Sequence, residues 1–323
     1  MLIPCLLFTF GLILLIKGGD WFVDAATAIA HHYHVSELLI GATVVSIGTT
    51  LPEVMVSATS AVTGHGEIAY GNALGSIICN TALIAAITVA IRPPKVDAKA
   101  FSSSVVFFFI AAIIYSAIAI FFRSFSRGSG ILFLLIFAVY IVMTIIQAKR
   151  ETQAERSAQE DTAEQDKPIW KQIVLLIIGA ALIAWGADLL VKNATIIARA
   201  IGIPESVIGL TLVALGTSLP ELVTAITSLV KGHSSLSLGN IIGANFFNIV
   251  LVSGVATTLS PFAIPQGKTI GSYPTSLVVD IPVMLFVMAL LTLPTIARGK
   301  MVRLQGIILL AIYAGFCIFQ FMY

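Results

Sequence analysis

The stretch that decides the fold is GATVVSIGTTLPEVMVSATS at residues 41–60, because it returns in closely similar form as GLTLVALGTSLPELVTAITS at residues 209–228. When the sequence is aligned with itself at an offset of 168 residues, positions 40–80 pair with 208–248 without a gap, and 18 of the 41 pairs are identical. Chance does not produce agreement of this length. The chain therefore contains an internal duplication, and the two copies define its architecture.

The composition around these copies is that of a membrane protein. The residues AVILMFWYC make up 58% of the 323 positions and DEKR only 11%. With a mean hydropathy of +1.01, most of the chain cannot face water. The net charge of +2 does not indicate a nucleic-acid partner. Cys5, Cys79 and Cys317 lie in apolar runs without CxxC or Cys/His spacing, which supports neither a disulfide framework nor a zinc site.

Long apolar stretches divide the chain into two sets of membrane-spanning helices. A helix needs about 20 mostly apolar residues to cross a bilayer, and one long charged connection, Gln147 to Lys171, reads as an aqueous loop. We therefore expect a first five-helix repeat at 1–148, a cytoplasmic loop at 149–168 and a second five-helix repeat at 169–323. The ten predicted spans are 2–29, 36–63, 67–91, 101–122, 129–148, 169–199, 203–230, 235–259, 273–294 and 302–322.

The odd number of spans in each half predicts that the two halves are inverted. After five crossings the second copy must enter the membrane from the opposite side. The basic residues predict the orientation: Lys17 lies within span 1, twelve others fall in loops on one side, and Arg123, Arg127, Lys192, Arg199 and Lys268 lie on the other. Because the side rich in basic residues is normally cytoplasmic, we expect a multi-pass protein of the cell's inner (plasma) membrane with both termini outside and the long loop in the cytoplasm.

The repeated motifs predict interrupted helices. In GTTLPE (48–53) and GTSLPE (216–221) a glycine precedes hydroxyl residues and a proline, which has no N–H to donate, so nearby carbonyls lose their helical partners. A second motif follows in each copy, GNALGSIICN at 71–80 and GNIIGANFFN at 239–248. We expect broken helices at spans 2, 3, 7 and 8, whose unpaired carbonyls can bind cations. The glycines of the second motif are predicted to allow close helix packing.

Two carboxylates lie at the centre of the repeats. Glu53 and Glu221 each follow the proline, about seventeen residues into an apolar span, where an unpaired carboxylate costs several kcal/mol. No lysine or arginine lies at comparable depth in the repeated helix pairs, so a bound ion or a proton must neutralise them. The alternative is a pair of protonated glutamates bonded within the bundle. Oxygen ligands favour a hard cation such as calcium or sodium over copper or zinc.

Further polar residues surround the two glutamates in sequence. The hydroxyls one turn before them are candidate ligands, although they could instead satisfy local backbone groups. The asparagines of the second motif are candidate ligands or interhelical bridges; a ligand role is favoured for the last asparagine of each copy, and the first is left open between packing and function. These residues are Thr49, Thr50, Thr217 and Ser218, then Asn80 and Asn248, then Asn72 and Asn240.

These paired motifs resemble the two alpha-repeats of the cation/calcium antiporter superfamily, and within it the prokaryotic sodium/calcium exchangers, over essentially the whole chain. The resemblance implies an all-α membrane protein of ten helices in two inverted five-helix repeats. It implies secondary active exchange of calcium for sodium by alternating access, with spans 1 and 6 sliding past a core bundle. The alternative is a proton/calcium antiporter, or one for another divalent cation. A passive channel is a further rival, whereas neither a nucleophile and base pair nor a phosphate loop supports an enzyme.

Carried over residue by residue, the resemblance implies a complete set of ion ligands. Glu53 and Glu221 would bind both calcium and sodium, and Thr49 and Thr217 would complete the calcium site. The sodium sites would use backbone carbonyls of Ser46 and Ala214 and the side chains of Thr50, Ser76 and Ser218, with Asn80 and Asn248 framing the middle.

Two departures from the family pattern concern the sodium and potassium sites. Ala244, the repeat mate of Ser76, lacks a serine hydroxyl, which puts sodium affinity or stoichiometry in question. Asn248 replaces the aspartate of potassium-dependent relatives, which argues against potassium co-transport. We expect no cofactor; the predicted partners are calcium and sodium ions and the lipid bilayer, and a monomer is one assembly that the sequence allows.

Overall fold

The computed structural model describes residues 2–94, 96, 98–156, 168–202, 214–266 and 269–322, and these are almost entirely helical. The first half contains α1 (Leu2–His32), α2 (Glu37–Ile40), α3 (Ser46–Val62), α4 (Gly66–Cys79), α5 (Ala86–Ile91), α6 (Ala98–Phe122) and α7 (Arg127–Arg156). The second contains α8 (Ile169–Ala200), α9 (Ala214–Thr217), α10 (Leu219–Lys231), α11 (Ser234–Phe247), α12 (Ser253–Leu259), α13 (Ile281–Arg298) and α14 (Arg303–Met322).

The predicted membrane spans are confirmed where the structure describes them. Within the described residues, nine helical segments are long and apolar enough to cross a membrane, and their ends fall within a few residues of the predicted limits. The tenth predicted span, 203–230, begins outside the described residues, and its remainder forms α9 and α10. Part of the predicted loop at 149–168 differs, because α7 continues to Arg156; residues 157–167 lie outside the described part of the chain.

In the part of the chain that the structure describes, four wide π-helical turns interrupt the helices. They are π1 (Gly41–Val45), π2 (Asn80–Ala85), π3 (Asn248–Val252) and π4 (Ser276–Asp280). Single π turns are often found at functional sites, and π2 and π3 begin at the repeat mates Asn80 and Asn248. The hydroxyl of Ser46 donates to the Gly41 carbonyl at 2.8 Å, and that of Ser253 donates to the Asn248 carbonyl at 3.1 Å. Each hydroxyl thus satisfies a carbonyl five residues earlier, across the wide turn.

The structure describes an interruption at a different point in each copy, and the repeat mates of π1, residues 209–213, lie outside the described residues. In the second copy, Ser218 forms a turn between α9 and α10, close to the predicted position. In the first, α3 runs without a break through Pro52, and the interruption lies upstream in π1. Pro52 lacks one backbone donor, yet the helix continues past it. Pro220 lies in the first turn of α10, where no donor is needed.

The chain forms two compact units, and each takes residues from both halves. Unit 1 comprises Met1–Thr49 and Thr144–Asn240, and unit 2 comprises Thr50–Met143 and Ile241–Tyr323. These units follow packing and not the duplication. The repeat boundaries inferred from the sequence stay a prediction.

In unit 1, α1 packs along α8 through two reciprocal glycine contacts. A Cβ on Gly11 would lie 2.9 Å from the Gly186 carbonyl oxygen, and one on Gly186 would lie 2.8 Å from that of Gly11. Gly18 and Gly179 have the same relation at 3.0 Å in both directions. The offset of 168 residues makes Gly11 the repeat mate of Gly179, and Gly18 that of Gly186. The backbones of α1 and α8 therefore touch because these positions carry no side chain.

Charged residues join further elements of unit 1. Lys231, at the end of α10, lies 2.8 Å from Asp24 Oδ1 and 3.3 Å from Asp20 Oδ1 on α1. His233 Nδ1 lies 2.7 Å from Glu37 Oε1, at the start of α2. These partly exposed pairs contribute modestly to stability. They attach the end of α10 and the turn after it to α1 and α2.

In unit 2, α4 packs against π3, α12 and α13, α6 packs against α13, and α5 packs against α14. A short antiparallel ladder pairs β1 (Ser124–Phe125) with β2 (Phe262–Ala263), and a second pairs β3 (Thr269–Ile270) with β4 (Tyr273–Pro274). A cluster of aromatic rings in tilted contact packs beside the first ladder. The rings belong to Tyr70, Tyr115, Phe125, Phe133 and Phe262. This cluster anchors one end of α4, whose other end leads into π2.

The glycine contacts between α1 and α8 give a stability prediction. Gly186→Ala should lower the Tm of the purified protein, because the new methyl group meets the α1 backbone and must force it away, at a cost of about 1–3 kcal/mol. Gly75→Ala is the matched control, since a Cβ there meets nothing within 4 Å and alanine favours the helix by about 1 kcal/mol. Thermal unfolding in detergent measures both. Equal Tm values for the two variants would contradict the close packing of α1 on α8.

Candidate functional site

Glu221 is the buried carboxylate of unit 1. It lies in the first turn of α10 and is fully buried. Within the described residues, neither of its carboxylate oxygens has a hydrogen-bond partner. The hydroxyl of Thr49 lies beside it but donates to Asn240 Oδ1 at 3.1 Å. The Ser46 carbonyl, at 3.4 Å, is a second acceptor for this hydroxyl. The lone pairs of the Thr49 oxygen stay available to coordinate a cation next to Glu221.

Asn240 holds the hydroxyl residues of unit 1 in position. Its side-chain oxygen accepts from Thr49, and its backbone carbonyl accepts from the Ser46 hydroxyl at 2.9 Å. The approach needs glycine on both sides, since a Cβ on Gly41 would collide with the Leu236 carbonyl and one on Gly239 with the Leu38 carbonyl. The sequence left Asn240 open between packing and function, and the structure shows it positioning two predicted ligands.

The other predicted ligands of unit 1 lie around the turn before Glu221. Ser218 is buried at the N-cap position of α10, and its hydroxyl has no partner among the described residues. Thr217 is half-buried, and Ala214 begins α9. A narrow, largely apolar gap adjoins Thr49. It is lined by Phe22, Gly48, Thr49, Ala180, Ile183, Ala184 and Pro220.

Glu53 is the buried carboxylate of unit 2. It lies on α3 and is fully buried, and Thr50, three residues earlier, has a buried hydroxyl without a partner in the described part of the chain. The side chain of Asn72 on α4 donates to the Glu53 carbonyl at 3.2 Å and to the Ser57 hydroxyl at 2.8 Å. Asn72 therefore locks α4 to the helix that carries Glu53. Like its repeat mate Asn240, it positions the site.

Asn80 and Asn248 are fully buried at the first residues of π2 and π3. None of their side-chain amide atoms has a hydrogen-bond partner within the described residues, so neither forms the interhelical bridge that was the alternative interpretation. A buried amide without a partner costs about 1–3 kcal/mol, a cost that a bound cation would remove, and the ligand role of both residues stays a prediction. Ser76, one turn before Asn80, is also buried, and so is Ala244.

Asn245 is a buried polar residue that the sequence analysis missed. It is fully buried, and its side chain donates to Thr81 Oγ1 at 2.7 Å and to Met288 Sδ at 3.2 Å. Its Oδ1 has no partner among the described residues. The repeat mate of Asn245 is Ile77, so a search for polar residues shared by both copies could not find it. The replacement of an apolar residue by an amide was the available signal.

The predicted site residues therefore supply only oxygen ligands. Glu221, Thr49, Ser46 and Ser218 belong to unit 1, while Glu53, Thr50, Ser76, Asn80 and Asn248 belong to unit 2. Carboxylate, hydroxyl, amide and carbonyl oxygens suit calcium and sodium, whereas copper and zinc prefer nitrogen or sulfur donors. In the described ranges, no three His, Cys, Asp or Glu residues come together as a metal cluster.

Comparison with known proteins gives matches over nearly the whole chain. A family model described as "Sodium/calcium exchanger protein" matches residues 3–146 and 171–322. The inner membrane protein YrbG of Escherichia coli is 36% identical over 268 residues, which cover 81% of each protein.

Solved structures of the sodium-calcium exchanger NCX_Mj have a similar fold. Crystals soaked with Na⁺ and Sr²⁺ match with a TM-score of 0.81 and 34% identity over 97% of both chains. Crystals soaked with Na⁺ and Ca²⁺ match with a TM-score of 0.81 and 33% identity over the same share. This agreement confirms the predicted architecture of ten helices in two inverted five-helix repeats.

The Asn72 contact gives a test of how unit 2 holds Glu53. A double-mutant cycle of Ser57→Ala and Asn72→Ala should show a coupling of about 1 kcal/mol in the free energy of unfolding, because the two side chains share a buried hydrogen bond. Chemical unfolding in detergent measures it. Ser57→Ala combined with Thr88→Ala is the control, since Thr88 bonds only to its own helix in the described contacts, and these effects should add. A coupling no larger than that of the control pair would contradict the positioning role.

Proposed function

The chain belongs to the sodium/calcium exchanger family and is a membrane cation/calcium antiporter, and from that premise we propose that it exchanges Ca²⁺ for Na⁺. Transport proceeds by alternating access: the ion site opens to one side of the membrane, closes, and opens to the other. The transported ions are substrates, and the chain needs no cofactor. The predicted orientation, with both termini outside, belongs to this proposal.

The observation that carries the proposal is the burial of two carboxylates at matched positions. Glu53 and Glu221 are both 0% exposed. The described parts of the four repeated spans, 37–62, 66–91, 214–230 and 234–259, contain no lysine or arginine. A charged carboxylate at membrane depth is costly without a counter-ion. Transported cations supply that charge, so a site holding Ca²⁺, or Na⁺ in its place, can close and move while an empty, charged site cannot.

The roles of the other ligands follow the family resemblance. Glu53 and Glu221 bind both ions, and Thr49 and Thr217 add hydroxyl oxygens for Ca²⁺. Asn80 and Asn248 contribute amide oxygens. The sodium ligands are the hydroxyls of Thr50, Ser76 and Ser218 and the carbonyls of Ser46 and Ala214. The hydroxyls of Thr50 and Ser218, which have no partner within the described residues, support this assignment.

Sodium is favoured over a proton as the counter-ion. A proton neutralises a glutamate without further ligands, so a proton-coupled exchanger uses additional oxygens only for Ca²⁺, and oxygens beyond the Ca²⁺ ligands favour sodium. Here a buried hydroxyl residue precedes each glutamate by three residues: Thr50 precedes Glu53, and Ser218 precedes Glu221. Neither hydroxyl forms a hydrogen bond with another described group. Extra oxygens of this kind are what a sodium ion requires to replace its water. The similar NCX_Mj crystals were soaked with Na⁺ together with Ca²⁺ or Sr²⁺.

Proteoliposome transport tests the counter-ion. An outward Na⁺ gradient should drive Ca²⁺ accumulation against its own gradient, because Na⁺ leaving the site frees the same carboxylates for Ca²⁺. A pH gradient or a K⁺ gradient of equal size should not drive accumulation. Uptake driven by the pH gradient without Na⁺ would replace sodium by protons as the counter-ion. Calcium flux that only runs down its own gradient would identify a channel.

The buried carboxylates give a second transport prediction. Glu53→Gln and Glu221→Gln should each reduce sodium-driven Ca²⁺ uptake by more than the roughly 10- to 100-fold loss typical of removing an outer partner of a metal ligand, because glutamine keeps the size and removes the charge. Asp188→Asn is the matched control, since Asp188 is exposed and pairs with Lys192 at 2.9 Å. It should transport like the parent protein. Normal uptake by either glutamine variant would refute the proposed mechanism.

A further inference from the structure

Two loops of unit 2 that are distant in sequence are joined at one end of the helices. The backbone N–H of Val96 donates to the Gly299 carbonyl at 3.0 Å, and that of Met301 donates to the Pro94 carbonyl at 3.2 Å. The first loop follows α5, and the second connects α13 to α14. Their paired backbones fix the ends of α5, α13 and α14 next to one another.

This pairing concentrates positive charge. Arg92, Arg298, Lys300 and Arg303 are all exposed on the joined loops, and within the described residues none of them forms an ion pair. The guanidinium of Arg303 donates to the Ile91 carbonyl at 3.4 Å, at the last residue of α5. Arg303 therefore lies next to Arg92 and caps a helix end whose carbonyls attract cations. The other three side chains make no hydrogen bond among the described contacts.

Exposed apolar side chains begin directly below this basic cluster. Ile91, Leu293, Leu304 and Ile307 are each more than half exposed on α5, α13 and α14. In a membrane protein such faces contact acyl chains. Ile91 adjoins Arg92 and Leu304 adjoins Arg303 in sequence, so the basic cluster lies at the level where the acyl chains end and the headgroups begin.

We propose that the surface formed by Arg92, Arg298, Lys300 and Arg303 binds the headgroup of an anionic phospholipid. Guanidinium groups bind phosphate through paired N–H donors, and basic groups at this depth attract anionic lipids. The exposed apolar faces favour a lipid over a free phosphate, because they bind the acyl chains of the molecule whose phosphate meets the arginines.

The bound lipid would act on a rigid helix pair. A Cβ on Gly306 would lie 2.5 Å from the Ala86 carbonyl oxygen and 2.7 Å from the Ala90 nitrogen, so α14 contacts the α5 backbone just below the basic cluster. The helix α5 continues directly from π2, which begins at Asn80. A lipid that joins α5 to α13 and α14 therefore stabilises the segment that holds Asn80.

Thermal unfolding in mixed micelles tests the proposal independently of transport. Phosphatidylglycerol should raise the Tm of the full-length protein above its value in phosphatidylcholine, and high salt should remove the difference. Each basic residue removed should weaken binding roughly fivefold. The triple variant Arg92→Gln/Arg298→Gln/Lys300→Gln should therefore lose the shift. Arg303 is kept in this variant because it caps α5.

Controls separate the site from general charge effects. Arg127→Gln removes an exposed arginine at the start of α7, predicted to face the other side of the membrane, and should keep the full shift. The single variants Arg92→Gln and Lys300→Gln should each lose part of it, which keeps the test valid if the triple variant fails to fold. Inorganic phosphate should cause no shift. A shift of equal size in parent and variants, no shift in the parent, or a shift with phosphate alone would each overturn the proposal.

Discussion

The free-energy cost of burying two carboxylates away from water is the main constraint on the candidate ion site. Glu53 and Glu221 are completely buried in helices, and an ionised group at this depth is stable only when an opposite charge accompanies it. A fixed lysine or arginine would satisfy that demand permanently and leave the site unable to exchange. The repeated spans lack such residues. In the proposed mechanism, mobile ions supply the missing positive charge, and ion movement is therefore linked to whether the site can close.

The remaining polar residues divide into positioning groups and groups with unused oxygens. Asn72 and Asn240 occupy equivalent positions in the two copies. The side chain of each forms a hydrogen bond with a hydroxyl residue of another helix. The side chains of Asn80 and Asn248 make no hydrogen bond within the described residues. The two pairs also differ in the backbone that carries them. The first pair lies within regular helix, while the second begins wide π turns, whose rotation changes the direction of the side chains that follow.

Much of this arrangement could be predicted from the sequence, because hydropathy and duplication report directly on membrane spans and shared residues. The ends of the described spans and the burial of Glu53 and Glu221 agree with expectation. Three features did not follow. Pro52 lies within a continuous helix, although a proline removes only one backbone donor and its position alone does not fix where a helix is interrupted. Asn245 corresponds to Ile77 in the first copy, so a search for polar residues shared by both copies could not find it. Gly71 and Gly75 were expected to allow close packing, yet a side chain there would meet nothing within 4 Å, since glycine spacing alone does not say which helix approaches.

The glycine contacts between α1 and α8 have an evolutionary consequence. Gly11 meets Gly186 and Gly18 meets Gly179, and these four positions are two residues of one ancestral helix, each present twice. A segment that packs against its own duplicate makes a self-complementary contact. Two copies of one and the same helix are enough to form such a contact. A half-length ancestor, inserted in both orientations, could therefore have formed this contact as a pair of separate chains before gene fusion joined them.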